Sequence, residues 1–242
     1  MKRLHFFLIL WFSFSQCQSQ SNLSKNEIMN LIDSSSEKFD LSLLKKSDQK
    51  YDKPEYFSYE SLKMVKADGT EELISGNYSG IKKKIIPTKG WFNIQKEYYP
   101  NGNIKLKRIY NKTSKGDYGL MYEFDEHGKL TKTIDFDEGW KTSFETITEI
   151  AKKYIQKYNY KIDASANAVI NTDQQWTKQY IKIWRKENDG KKYWQIGLNK
   201  GHFENPDDKK CERVIILVDD SSGKVLKNEH YFDWYNRFFK EL

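Results

Sequence analysis

Glu97-Tyr98-Tyr99-Pro100-Asn101-Gly102-Asn103-Ile104 and Glu123-Phe124-Asp125-Glu126-His127-Gly128-Lys129-Leu130 are two versions of one sentence. Aligned on Gly102 and Gly128, they pair Glu97 with Glu123, Tyr98 with Phe124 and Ile104 with Leu130, and further on Tyr110 with Phe136. Each reads as a strand, a tight glycine turn and a second strand. Self-similarity at a spacing of a few tens of residues marks stacked supersecondary units. Such units build surfaces more readily than catalytic sites. Working outward, alternation of apolar and polar residues predicts further strands over 57–64, 72–78, 81–86, 91–98, 104–110, 118–124 and 130–136, with short glycine-bearing separators. Regularly spaced hairpins imply an antiparallel meander, and we expect a curved single sheet with one face packed and the other exposed.

The first copy, Tyr98 to Lys105, resembles the MORN-variant repeat in its aromatic pair, Asn-Gly turn and aliphatic restart. The second departs at the turn, Asp125-Glu126-His127-Gly128, and a third, weaker copy sits at Met64 to Glu71. Bacterial proteins with this repeat are often labelled antitoxins of the YwqK type. The resemblance covers roughly a third of the chain. It implies a β-rich interaction module and carries over no catalytic residue.

A second unit opens at Thr142. Thr142 with Glu145 reads as a capping box. Phe144, Ile147, Ile150, Ala151, Tyr154, Ile155 and Tyr158 then form an apolar stripe at the 3.6-residue period, so a helix over 142–158 is expected. Strands follow at 180–185, 193–198, 214–218 and 224–226, with Asn188-Asp189-Gly190 as a hairpin turn. Tyr193-Trp194-Gln195-Ile196 and Leu217-Val218-Asp219-Asp220-Ser221-Ser222-Gly223-Lys224-Val225 resemble the Trp-bearing strand and the aliphatic-Asp-turn-Gly hairpin of PepSY-like, cystatin-like modules. That resemblance implies a helix laid on a small sheet, and a role in binding or restraining other proteins. The insertion from Asn199 to Cys211 separates the two motifs. The fold class expected is therefore α+β: a β-meander over 51–140, then a PepSY-like unit over 141–242.

The N-terminus reads as an address. Lys2 and Arg3 precede an apolar run from Leu4 to Phe14, too short to span a bilayer and shaped like a secretory signal over 1–15. Ser13 and Ser15 are the small residues that a cut before Gln16 requires. The competing form is a lipoprotein anchored at Cys17, whose lipobox is spoiled by the large Gln16. No later run reaches membrane length. Residues 16–50 read as a polar tail and an N-terminal helix. There Ser24 and Glu27 form a capping box, and Ile28, Leu31 and Ile32 share a face that a second short apolar stretch, Phe39, Leu41, Leu43 and Leu44, continues after a break near Ser34-Ser35-Ser36. The pairing of Cys17 with Cys211 stays open, with a free Cys211 preferred.

The formal charge is +7, or +5 once Lys2 and Arg3 are removed with the signal. Lysines are interleaved with acids along the chain, the pattern of a solvated surface rather than of a nucleic-acid binder. No cofactor is expected. His202, Glu204, Asp207, Asp208 and Cys211 match no metal-ligand spacing and read as a solvated loop. Asp135, Asp137, Glu138 and Gly139 read as a unit boundary rather than a calcium loop. His127, His202 and His230 stand without a neighbouring nucleophile motif, and no Gly-x-Ser-x-Gly elbow occurs.

What remains is aromatic. Trp91, Phe92, Tyr98, Tyr99 and Tyr110 exceed what one packed sheet face needs, so Trp91, Tyr98 and Tyr110 are the expected exposed contacts for a partner. Trp234 and Tyr235, in the aromatic C-terminal tail, are the other candidate anchors, unless that tail closes its own core. The reading is an exported, periplasmic or secreted, non-enzymatic protein-binding module of immunity or antitoxin type, its partner a protein of unknown identity. An envelope-glycan hydrolase and a structural envelope component are the alternatives. Intact-mass analysis of the exported protein is expected to place its N-terminus at Gln16 without lipid. Diacylglycerol on Cys17 would establish the anchored form instead.

Overall fold

Seven strands pair in the order in which they occur in the chain: β1 (Ser58–Val65), β2 (Glu71–Asn77), β3 (Gly80–Ile86), β4 (Phe92–Tyr98), β5 (Ile104–Asn111), β6 (Asp117–Phe124) and β7 (Leu130–Asp135). Every pairing is antiparallel. This computed structural model describes residues 28–44, 58–88, 90–161, 170–171, 178–200 and 212–231. The expected signal segment, the expected Ser24–Glu27 box, Cys17, Cys211, His202 and the candidates Trp234 and Tyr235 lie outside the described residues.

The two aligned turns have one geometry. Gly102 donates to the Tyr99 carbonyl and Tyr99 to that of Asn103; Gly128 donates to Asp125 and Asp125 to Lys129. The turn at Gly69 repeats both bonds, from Gly69 to Lys66 and from Lys66 to Thr70. In all three the amide after the glycine is held by a side-chain carboxyl or amide oxygen: Asn101 for Asn103, Asp125 for Lys129, Asp68 for Thr70. Equivalent bulges follow the two aligned turns, at Tyr98 opposite Ile104 and at Phe124 opposite Leu130. A bulge bends its strand and adds twist, so each hairpin curves the sheet in the same sense.

The second unit is α1 (Phe144–Lys157) followed by β8 (Ile170–Asn171), β9 (Lys178–Asn188), β10 (Lys191–Lys200), β11 (Glu212–Asp219) and β12 (Val225–Tyr231). The sheet runs β12-β11-β10-β9-β8, all antiparallel. Phe144, Ile147, Ala151 and Ile155 are buried, in one core with Trp194 and Ile216. Tyr154, expected to be buried, is only partly so, and stacks on Tyr158 at 6.2 Å on the flank of the helix. The N-cap is Ser143, whose hydroxyl accepts from the Thr146 amide, not Thr142. Thr142 is unavailable because Asp220 binds its amide and its hydroxyl donates to the Asp220 carbonyl.

The expected N-terminal helix is also corrected. Ile28 and Met29 are helical, and the chain then turns and runs extended. Asp33 accepts from both the amide and the hydroxyl of Ser35, the local bonding that diverts Ser- and Asp-rich segments from helix. Ile28, Ile32 and Phe39 are buried, whereas Leu31, Leu41 and Leu43 are exposed. The core is continuous: residues of 28–39, the meander, α1 and the second sheet belong to one buried cluster.

Gly102 and Gly128 sit at φ +85° and +81°. Gly102→Val is expected to cost about 1–3 kcal/mol, because a β-branched residue is strained there. A thermal melt equal to the parent's would contradict this. Ile147 is fully buried on α1. Ile147→Asp should cost several kcal/mol by placing an unpaired charge among Phe144, Trp194 and Ile216, and should abolish the cooperative transition.

Candidate functional site

The register places Phe92, Ile94, Lys96 and Tyr98 of β4 on the same face as Lys107 and Ile109 of β5 and Tyr118 and Tyr122 of β6. Across this inner face lies the segment 28–44, here called the strap. Lys38 bridges to Asn103; the Phe39 amide donates to Gly102 at 2.8 Å and the Ile104 amide to Glu37 at 3.0 Å. The strap thus adds a short stretch of main-chain pairing at the first repeat turn. Phe39 packs on Tyr98 with ring centroids 5.2 Å apart.

Charge does the rest. Lys107 is almost wholly buried, at 2% side-chain exposure, and donates to Asp33 at 3.0 Å and to the Ser35 carbonyl at 2.8 Å. Its ammonium lies 3.3 Å from Glu37 and 5.7 Å from the centre of the Phe124 ring. Glu37 also receives Lys96 at 2.7 Å and the Tyr98 hydroxyl. Burial pushes the Glu37 carboxyl up, but the bonds from Lys96 and Tyr98 and the two lysine charges outweigh it and hold it below the ordinary glutamate value. Bonds from Ser35 and Lys107 hold Asp33 at about 2. Burial, then the bond to Glu37, drives the Tyr98 phenol upward. The stabilisation that the two carboxylates lend is complete above their ordinary range and fades as pH falls through these depressed values.

Three glycines clear the strap's path. A Cβ on Gly102 would stand 3.0 Å from the Phe39 carbonyl oxygen, and one on Gly119 would stand 2.8 Å from the Met29 sulfur. One on Gly128 would collide with the Ser36 hydroxyl. The glycines at the two equivalent turns therefore serve twice, once for the turn and once for the segment lying over it.

A second polar centre joins the two sheets. Asp220 is 2% exposed, and its carboxylate accepts from the Lys141 amide at 2.8 Å, the Thr142 amide at 3.1 Å and the Trp194 indole N–H at 2.8 Å. Beside it the Arg185 guanidinium lies 4.3 Å from the ring centre of Tyr118 and 4.8 Å from those of Trp140 and Trp194. Arg185 donates to the Phe136 carbonyl at 2.7 Å and to Asp137 at 2.6 Å. The acidic run at 135–138 is thus a junction: Asp137 pairs with Arg185, and Asp135 caps the turn through the Asp137 amide.

The candidate contacts fare differently from their expectation. Trp91, Tyr98 and Tyr110 are all buried. Trp91 meets Phe144 of α1 edge-on at 5.6 Å, because the second unit covers that end of the meander. Tyr98 is the floor of the strap's path. Tyr110 does lie on the outer face, but Lys84 and Arg108 close over its ring, at 5.9 and 5.6 Å from its centre. Arg108 is fixed there by Asp117 at 3.0 and 3.2 Å and by Gln95 at 3.1 Å. The outer face is therefore not the open aromatic patch anticipated. His127 is exposed in its turn. Among the described residues no group of three His, Cys, Asp or Glu side chains is gathered as for a metal ion, and no helix is long and apolar enough to cross a membrane.

Asp220 stood in the quoted turn motif without a role, and Lys107, Glu37 and Arg185 had no motif to announce them. One signal was Lys96, at a position where alternation demanded an apolar residue; Lys107 alternates with Ile104 and Leu106 and is turned inward only by the bulge after Ile104.

One element is open. β7 is exposed on both faces except for the partly buried Ile134, and among the described residues it pairs with β6 alone. Phe136 donates to the Gly119 carbonyl, so Ile134 and Lys132 are the ladder-bonded positions opposite Met121 and Glu123. The amide and carbonyl of Thr133, between them, then point away from the sheet. No family model, no curated protein and no solved structure matches the chain.

Asp220→Ala would orphan three N–H donors at the joint between the sheets. Chemical denaturation should show a loss of at least about 3 kcal/mol, with Asp220→Asn less damaging because it keeps one acceptor.

Proposed function

We propose that the protein is a non-catalytic protein-binding module of the bacterial envelope, exported by its first fifteen residues, and that it takes its partner by strand addition at β7. What supports this reading is the exposure of β7. A strand with neither face in the core adds little to stability, while its outward main-chain groups form a ready template for an extended segment. Strands β2 to β6 pack the core and hold this edge in place. The resemblance of the central repeat to MORN-variant antitoxins makes an antagonist protein of the same envelope the first partner to try.

The test is a proline. Thr133→Pro removes an outward-facing N–H without touching the ladder to β6, a position where proline is tolerated. The variant should melt within about 1 kcal/mol of the parent and lose the partner that the parent recovers from its own envelope. Equal recovery by both proteins would refute binding at this edge. Turnover of an envelope glycan, lost on neutralising one carboxylate, would replace the binding reading with the hydrolase.

A further inference from the structure

The strap is bound as a ligand is bound. Its grip on the meander combines two main-chain hydrogen bonds, one ring contact, a cluster of ion pairs and a path cut by glycines. Every ion pair that Lys96 and Lys107 make among the described residues runs to the strap: Lys96 to Glu37, Lys107 to Glu37 and Asp33. The other buried acid of this face, Glu72, is already engaged by Lys66 and Lys83, so without the strap Lys96, Lys107 and the Tyr98 phenol would lose the carboxylates they bind, beside Ile94, Ile104 and Phe124. An apolar sheet face needs no such lysines for its own sake. The burial of Lys107 therefore specifies what must cover it: an extended segment with an acid placed for the two lysines and an aromatic ring two residues on, as Glu37 and Phe39 are placed.

From this we infer that the inner face of the meander is a recognition groove for an extended acidic segment of Asp-x-x-x-Glu-x-Phe pattern, that residues 33–39 are its resident occupant, and that a partner protein's segment of the same chemistry exchanges with them. The groove is independent of β7; only the existence of a protein partner is shared with the reading above. Such an arrangement is autoinhibitory. The strap competes in cis, so the apparent affinity for the partner is reduced by the fraction of time the groove is filled. Strand β7 in this scheme is a second contact.

Two measurements on the full mature chain decide the matter. The first is hydrogen exchange on the parent. The Phe39 and Ile104 amides, which join strap to groove, should exchange at least tenfold faster than the Asn93 and Tyr110 amides of the β4–β5 ladder. Exchange of all four together would make the strap an inseparable part of the core and overturn the inference. The second uses a fluorescent synthetic peptide with the sequence of residues 31–41. Glu37→Gln weakens the resident occupant, so that variant should bind the peptide at least tenfold more tightly than the parent does. A peptide with Gln and Ala in place of its Glu and Phe should not bind, and Lys107→Met should abolish binding. Equal peptide affinity of parent and Glu37→Gln would refute cis competition. If Glu37→Gln fails to fold, the exchange result decides alone. A dimer held by exchanged straps in sedimentation velocity would put a second copy, not a partner protein, in the groove and overturn the assigned occupant. Loss of partner capture in Thr133→Pro with peptide binding intact separates this site from β7.

Discussion

A buried carboxylate with three N–H donors holds the molecule together. Asp220 gathers the Lys141 and Thr142 amides and the Trp194 indole, and so fastens the end of the meander, the start of α1 and the middle of the second sheet to one point. Removing a carboxylate from water is costly unless donors replace the solvent. Three oriented N–H groups do so here. Each position depends on the others: Trp194 stacks edge-on to Trp140 at 5.2 Å, and the two rings form two walls of the box around Arg185. The guanidinium in turn holds Phe136 and Asp137, the residues that lead out of β7. A main-chain carbonyl, a carboxylate and three aromatic faces surround the Arg185 guanidinium, leaving only its Nε–H without a hydrogen bond, a geometry that lysine cannot reproduce. The relation between the two sheets thus follows from a few directional bonds set in one continuous apolar core.

The same physics explains what could be read from the sequence. Strands β2 to β7 fall within a residue or two of the alternation that predicts them, because each half-buried strand must repeat every second residue. The helix was legible from Phe144, Ile147, Ala151 and Ile155 for the equivalent reason. Its cap was misplaced by one residue because the competitor for Thr142, Asp220, lies 78 residues away. Local pattern carries no information about a partner so distant. β8, two residues long, offered no periodicity at all.

The expected exposure of three aromatics went wrong through a count. Trp91, Tyr98 and Tyr110 were judged surplus to one sheet face. That reckoning left out two covers: α1, which takes Trp91, and the strap, which takes Tyr98. Tyr110 is shielded by its own neighbours, since the Lys84 ammonium and the Arg108 guanidinium lie over its ring. The strap itself reads as helix from Ile28, Leu31 and Ile32. Its extended course is decided by Asp33, by the serines after it and by main-chain groups of a hairpin that follows far along the chain. Lys96, at an inward position of β4, was the visible anomaly, while the bulge that turns Lys107 of β5 inward left no mark in the alternation. A charge on an apolar face announces a counter-charge, though it does not say from where.

The strap also sets an order of events. Its anchor Asp33 is made 74 residues before Lys107. Closing a loop of that length costs chain entropy before any contact repays it, so the strap seats late. Meander hairpins join neighbours in sequence, and such local pairings form quickly. The strap closes only over a finished inner face. During that wait Ile28, Ile32 and Phe39 have no partner, and the polar Asp33-Ser34-Ser35-Ser36-Glu37 stretch between them keeps the segment from being a continuous apolar run. The sheet is thereby complete before its first-made segment can cover it, and a newly folded molecule passes through a stage in which the groove is empty and both lysines are exposed to whatever acidic segment is near.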